Sequence, residues 1–201
     1  MFDAALRQYI DPPLNVLGAK MASVGVSANV VTLTGFLIGM AAIPFIIYEC
    51  NLIALSLILI NRLFDGLDGA VARQTVLSDF GGYLDIVSDF IFYSGVVFAF
   101  AWARPENTLA GAFLIFSFMG TAATFLAYAA MAAKHNISTD IRGIKSLYYL
   151  GGLAEGAETI FVFILFCLLP VYFTWIAIVF GIMCWVTTAT RIYAAYVTFK
   201  A

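Results

Sequence analysis

Charge is scarce in this sequence. Only 11% of its 201 residues are Asp, Glu, Lys or Arg, against roughly 25% in a typical soluble domain, while 63% are hydrophobic. A soluble chain of this length could not cover so much apolar surface with polar groups, so its solvent must be lipid. There is one histidine, His135, which falls in a polar connection; it reads as a solvated interface residue and gives no support to a histidine-based nucleophile relay. The three cysteines, Cys50, Cys167 and Cys184, lie in or beside apolar segments without metal-type spacing, so they read as packing residues and no disulfide is expected. The first twenty residues mix Asp3, Arg7 and Asp11 with a Pro12–Pro13 break, unlike a cleaved signal peptide. No linker, low-complexity tract or repeat interrupts the chain. A single membrane domain over 1–201 is expected, with an interfacial N-terminal segment 1–27 ahead of a helical bundle 28–198. A net charge of −2 says little about partners, and no nucleic-acid partner is expected.

A spanning helix needs ~20 residues, which leaves room for about six spans with short connections. Apolar runs between breaks place them near 28–48, 51–76, 80–103, 107–133, 147–169 and 172–198. The fold class is therefore all-α integral membrane, with six transmembrane helices. A short amphipathic helix over Pro12 to Lys20 precedes them, lying on the membrane surface, since Leu14, Leu17 and Met21 share one face. An even number of spans puts both termini on one side. That side collects Arg7, Lys20, Arg62, Arg73, Lys134, Arg142, Lys145, Arg191 and Lys200 and leaves only Arg104 on the other. This asymmetry predicts a cytoplasmic (inner) membrane protein whose termini and 74–79 loop face the cytoplasm.

The segment from Asn61 to Asp89 reads NRLFDGLDGAVARQTVLSDFGGYLDIVSD. On a helix Asp65, Asp68, Gly69 and Ala72 line one face, and after the loop Gly81, Asp85 and Asp89 line another. A short connection makes the two helices antiparallel neighbours, so two carboxylate pairs face each other near the lipid–water boundary. An ionised carboxylate in or near hydrocarbon costs several kcal/mol, and neighbouring carboxylates repel one another. Arg62 and Arg73 are too few to neutralise them. Hard divalent cations such as Mg²⁺, Mn²⁺ and Ca²⁺ would, and two metals on four carboxylates suit displacement at phosphorus. The bland alternative takes Gly66, Gly69, Ala70 and Ala72 as small residues for helix packing. It leaves the four aspartates unexplained. Asp79 is expected to cap the helix after the loop.

These residues resemble the signature of the CDP-alcohol phosphotransferases (CDP-alcohol phosphatidyltransferases), D-x2-D-G-x2-A-R followed by G-x3-D-x3-D. Asp65, Asp68, Gly69, Ala72 and Arg73, then after seven residues Gly81, Asp85 and Asp89, fill every defined position. The stretches NRLFDGLDGA and KSLYYLGGLAEGAET are similar to a subgroup of short proteobacterial members. The resemblance implies that an alcohol attacks a phosphorus of a CDP-linked substrate and CMP leaves. It implies that Asp65, Asp68, Asp85 and Asp89 hold two divalent ions, Mg²⁺ or Mn²⁺, with Asp89 also the general base. It further implies that Asn29, Thr32, Asp65, Asp68, Gly69, Ala72, Arg73 and Gly81 contact the CDP moiety, and that the enzyme is a homodimer. The favoured donor is CDP-diacylglycerol, with phosphatidyl transfer to a small alcohol: glycerol 3-phosphate, phosphatidylglycerol, serine or an inositol phosphate. Head-group transfer from a CDP-alcohol to diacylglycerol is the alternative within the family.

A second polar band lies in KSLYYLGGLAEGAET, where Glu155 and Glu158 stand one helical turn apart in an apolar span. With Lys134, Arg142, Lys145, Tyr148 and Arg191 they are the candidate acceptor site. Arg191 pairing with one glutamate is the structural alternative. Two other classes fit the sequence less well. An intramembrane prenyltransferase would be longer and lack D-G-x2-A-R, and a cation transporter would place its charges near the membrane midplane.

Overall fold

The computed structural model describes residues 2–75, 78–135 and 152–200, and among these the chain is helical without strands. Seven α-helices follow one another: α1 Phe2–Ser23, α2 Ala28–Ile47, α3 Asn51–Ala72, α4 Asp79–Ala103, α5 Thr108–Lys134, α6 Gly156–Leu168 and α7 Phe173–Phe199. Their limits are set by local chemistry. Before α5 and α7, Pro105 and Pro170 open single 3-10 turns, where a residue without an N–H costs no hydrogen bond. α2 ends with Glu49 at φ 57°, its N–H on the Ile46 carbonyl and that of Cys50 on Phe45, the hydrogen-bond pair of a Schellman close. Ser78 opens α4, its Oγ accepting from the Gly81 N–H at 3.0 Å. The expected cap, Asp79, is instead the first helical residue, where its charge complements the positive end of the helix. Ser78 has the extended backbone of a cap, and that decides between the two.

Among the described residues, four segments are long and apolar enough to cross a membrane: Ala28–Ile47, Asp79–Ala103, Pro105–Lys134 and Pro170–Phe199. α3 has 22 residues but carries Arg62, Asp65 and Asp68 in its last three turns, and α6 has 13. The residues expected to open the fifth span, including Tyr148 and Tyr149, lie outside the described ones, as do Arg142, Lys145 and Ser146. Large apolar side chains such as Leu109, Val171 and Trp175 stand exposed on the outside, as lipid-solvated faces require.

Helix contacts run in a ring, α3–α2–α4–α5–α7–α6 and back to α3. Its centre is aromatic: Phe163 meets Phe92 and Tyr93 edge-on, and Phe100 and Phe166 close on Phe173. Lipid offers no hydrophobic drive between helices, so small residues allow the close approaches. A Cβ on Gly35 would stand 2.6 Å from the Cβ of Phe64, which is how α2 and α3 come so near.

α1 is longer than the short surface helix expected, and it runs through Pro12 and Pro13. The face it lays on α3 is Leu14, Gly18 and Met21, while Leu17 is exposed. Leu14 abuts Gly66, and a Cβ on Gly18 would sit 2.7 Å from the backbone of Ala70. Gly66 is thus a packing glycine. At the opposite end of the bundle Arg104 donates to Glu49 at 2.6 Å, and this pair holds the Glu49 carboxyl below its ordinary range.

Since α1 touches α3 backbone to backbone, Gly18→Leu is expected to destabilise the fold by about 1–3 kcal/mol through forced separation of the two helices. Chemical unfolding of the detergent-solubilised protein measures it.

Candidate functional site

One cleft gathers the four aspartates of the motif. It is lined by Thr32, Gly35 and Phe36 from α2, Asn61, Arg62, Asp65 and Asp68 from α3, and Asp85, Ser88 and Asp89 from α4. The last turns of α3 and the first turns of α4 run antiparallel because only six residues join them, so the two helical faces meet. One carboxylate oxygen from each of Asp65, Asp85 and Asp89 lies within 4.8 Å of the others, a spacing at which one cation can be held by all three. Asp68 is nearly buried beside them, and its Oδ2 accepts from the Thr32 hydroxyl at 2.6 Å. That hydroxyl also reaches the Ala28 carbonyl one turn back at 3.0 Å. α2 therefore enters the site through Thr32.

Asn29, one turn before, stands at the mouth. A Cβ on Gly81 would lie 2.9 Å from its Oδ1 and 3.0 Å from the Ser78 hydroxyl, so Gly81 keeps polar groups at the start of α4 close to the start of α2. Gly69 differs from Gly66: a Cβ there would meet only the Arg73 guanidinium, at 3.5 Å. Packing explains Gly66, whereas the backbone at Gly69 faces open space that a ligand can approach. Ala72 is half-buried, and Arg73 is turned to α1, its Nη2 and Nε donating to Asn15 Oδ1 at 2.9 and 3.2 Å.

Several groups at the site have no place in the motif. Arg62, Asn61 and Tyr93 join Asp89 in a closed set of hydrogen bonds: Arg62 Nη2 to Asp89 Oδ1 at 2.7 Å, and the Tyr93 hydroxyl to Asp89 Oδ2 at 3.0 Å. Tyr93 stands four residues after Asp89 and Asn61 four before Asp65, each on the same helical face as its aspartate, which was the available signal.

The second polar band sits at the start of α6. Glu155 is the residue preceding the helix and Glu158 lies in its first turn, so both are at the start of α6. Glu155 is buried and its Oε1 accepts from the Gly152 N–H at 2.8 Å; Thr187 of α7 takes the N–H groups of Leu153 and Ala154 at 3.0 Å each. Arg191, also buried, donates to the Thr121 carbonyl at 3.0 Å and lies over the Phe125 ring. Lys134 is exposed in the last turn of α5, and the His135 ring is 5.6 Å from that of Phe199. The band and the aspartates are near neighbours, because a Cβ on Gly156 would stand 3.7 Å from the Tyr93 hydroxyl.

Comparison with known proteins gives a concordant picture. The model of the CDP-alcohol phosphatidyltransferase family matches residues 25–193. The inner membrane protein YnjF of Escherichia coli is 50% identical over all of this chain and 98% of its own length. Archaetidylinositol phosphate synthase of Pyrococcus horikoshii is 26% identical over 94% of both chains. Phosphatidylinositol phosphate synthase of Mycobacterium tuberculosis, solved with CDP-DAG bound, shares the fold with a TM-score of 0.73 at 18% identity, over 91% of this chain and 93% of that one. The same synthase has also been solved with manganese and citrate, with a TM-score of 0.67 at 19% identity, over 91% of this chain and 88% of that one.

Because Thr32 supplies a hydroxyl to the nearly buried Asp68, Thr32→Val is expected to destabilise the protein by about 1–3 kcal/mol, and Thr32→Ser by much less. Unfolding of the two variants side by side checks this.

Proposed function

Because the chain belongs to the CDP-alcohol phosphatidyltransferase family and is a phosphotransferase of phospholipid synthesis, we propose that it moves the phosphatidyl group from CDP-diacylglycerol to a small alcohol. The observation that carries the proposal is the meeting, in one cleft, of the Asp65, Asp85 and Asp89 carboxylates with the Thr32–Asp68 pair, next to which the backbone at Gly69 is open. The direction of transfer is supported by the CDP-DAG bound to the mycobacterial synthase of the same fold.

In the proposed reaction the alcohol oxygen forms a bond to the phosphorus of the diacylglycerol phosphate. The bond from that phosphorus to the CMP oxygen breaks, and CMP leaves with the electron pair. Asp89 takes the alcohol proton; its carboxylate lies beside the α6 end, toward the polar band from which the alcohol would come. Gly69, Ala72 and Gly81 leave room for the nucleotide and pyrophosphate, with Asn29, Thr32 and Arg73 as polar contacts.

The donor set is all oxygen, which suits Mg²⁺ or Mn²⁺, and manganese accompanies the mycobacterial synthase. Asp65, Asp85 and Asp89 would hold one ion, and Asp68 on the adjoining wall would share in a second. Bound there, two such ions would neutralise charge on the phosphoryl group and the leaving oxygen.

Buried Glu155 and the neighbouring Glu158 support a hydroxyl-rich or amino-bearing acceptor, with Lys134 and Arg191 as further contacts. The same reading counts α3 and α6 as spans, six in all, with the cleft and both termini on the cytoplasmic side of the inner membrane. The Glu49–Arg104 pair supports it by joining two loops at the end away from the cleft. A homodimer completes the proposal.

Purified protein given labelled CDP-diacylglycerol, Mg²⁺ or Mn²⁺ and a panel of alcohols should release CMP with at least one of them; intact protein that releases none would sink the reading. Asp89→Asn should cut turnover by about 10²–10⁴-fold while sparing most binding of the donor. Gly69→Leu should abolish donor binding yet leave unfolding within about 0.5 kcal/mol, since its side chain enters open space.

A further inference from the structure

Arg62 is held as firmly as any group in the bundle. Its side chain is 16% exposed, and every guanidinium nitrogen has work. Nη2 donates to Asp89 Oδ1 at 2.7 Å, Nη1 to the Tyr93 hydroxyl at 3.1 Å, and Nε to Asn61 Oδ1 at 2.9 Å. Nη1 also stands 3.5 Å from Asp65 Oδ2. The partners are anchored in turn. Asn61 Nδ2 donates to the Gly35 carbonyl at 2.9 Å, which ties the arginine to α2. Tyr93 packs edge-on against Phe163 of α6, and the guanidinium carbon lies 5.4 Å from the ring centroids of both Phe92 and Tyr93. Such a site is built for a planar, forked cation, which a lysine ammonium would not match.

Two of the three carboxylates that could hold a metal ion, Asp65 and Asp89, are the two that Arg62 engages. We propose that Arg62 is a resident cation of the carboxylate cluster: it holds Asp65 and Asp89 in place when no metal ion is bound, and its charge weakens the binding of divalent ions beside it. The proposal rests on reading the cluster as a divalent-ion site. Its physical basis is competition and repulsion. A divalent ion drawing on Asp89 shares that carboxylate with a fixed positive charge in a poorly hydrated place, where Coulomb energies are several times larger than in water. Without the arginine, the metal-free cluster would hold its negative charges with less compensation, and the helix ends would be pushed apart. Arg62 and Tyr93 are positioning residues for Asp89 on this view.

The test uses the full chain, purified in detergent and stripped of metal with a chelator, then titrated with Mn²⁺ alone while free Mn²⁺ is read by electron paramagnetic resonance. Arg62→Gln should bind Mn²⁺ at least about tenfold more tightly than the wild type, the effect of removing one nearby positive charge. Arg62→Lys keeps the charge and should stay within about threefold of the wild type. In the metal-free state Arg62→Gln should melt at a lower temperature than the wild type, and Mn²⁺ should raise its midpoint by more than it raises that of the wild type. Equal or weaker Mn²⁺ binding by Arg62→Gln would overturn the proposal. Should that variant be recovered unfolded, Mn²⁺ present throughout purification must rescue it, and lack of rescue would overturn the proposal equally. Asp85→Asn separates the two levels: if it binds Mn²⁺ like the wild type, the cluster is not the metal site and the underlying reading fails, whatever Arg62 does.

Discussion

Carboxylates set beside one another on the helices of a membrane protein are the constraint on which the rest of this structure depends. Each ionised group there costs several kcal/mol unless something compensates it. The protein spends most of its unusual local chemistry on that compensation. Thr32 turns a hydroxyl onto Asp68, and Arg62 and Tyr93 take the two oxygens of Asp89. Helix positions follow from these bonds. α2 must lie against α3 for Thr32 to reach Asp68, and Gly35 permits it by presenting no side chain to Phe64. α4 must run back along α3 for Arg62 to meet Asp89, 27 residues on. The hydrophobic core fills in around this arrangement.

Much of it was legible in the sequence because it is local. Asp65 with Asp68, and Asp85 with Asp89, are one helical turn apart, so helical periodicity alone puts each pair on a face; a connection of six residues then turns the faces toward each other. The contributions of Asn29 and Thr32 were legible only through family resemblance, since nothing in spacing ties α2 to α3. What stayed hidden was hidden for the same reason. By charge count alone Arg62 is an insufficient neutraliser, though its bonds span two helices, and in a chain where 16% of residues are aromatic nothing singles out Tyr93. Ser78 and Asp79 are both good first residues for a helix, and only backbone angles decide which one caps. The Pro12–Pro13 pair reads as a break, since an interior proline loses a hydrogen bond and crowds the carbonyl four residues back; packing of Leu14 and Gly18 on α3 supports the helix that follows it. The apolar run continues after the paired glutamates, so the sequence does not mark where the helix starts; α6 begins at Gly156, with Glu155 just before it.

The small residues around the aspartates carry two kinds of role, and the structure tells them apart. Gly66 is filled from outside by Leu14 of α1, and Gly35 by Phe64 of α3. Those absences of a side chain are used up by the protein itself. The absence at Gly69 is not, and it opens on the same end of α3 as Asp68. In one helical turn the chain thus places a glycine that admits a neighbouring helix and a glycine that leaves backbone accessible. A packing motif and a binding motif overlap in the letters D-G-x-D-G, and only the partner atoms distinguish them.

The family's chemistry needs negative charge concentrated enough to attract cations, yet a membrane protein must also fold before they arrive. A lone arginine inside the cluster meets both demands at a cost to cation affinity, because one fixed positive charge compensates the carboxylates partially. Full compensation would leave nothing to bind, and none would leave a bundle whose ends repel. An arginine fits this intermediate role better than a lysine, since its fork reaches Asp89, Tyr93 and Asn61 at once and so ties α3 to α4, and through Gly35 to α2. The same bonds that balance the charge hold together the three helices that form the cleft, so the electrostatics of the site and the packing of this half of the bundle are one arrangement.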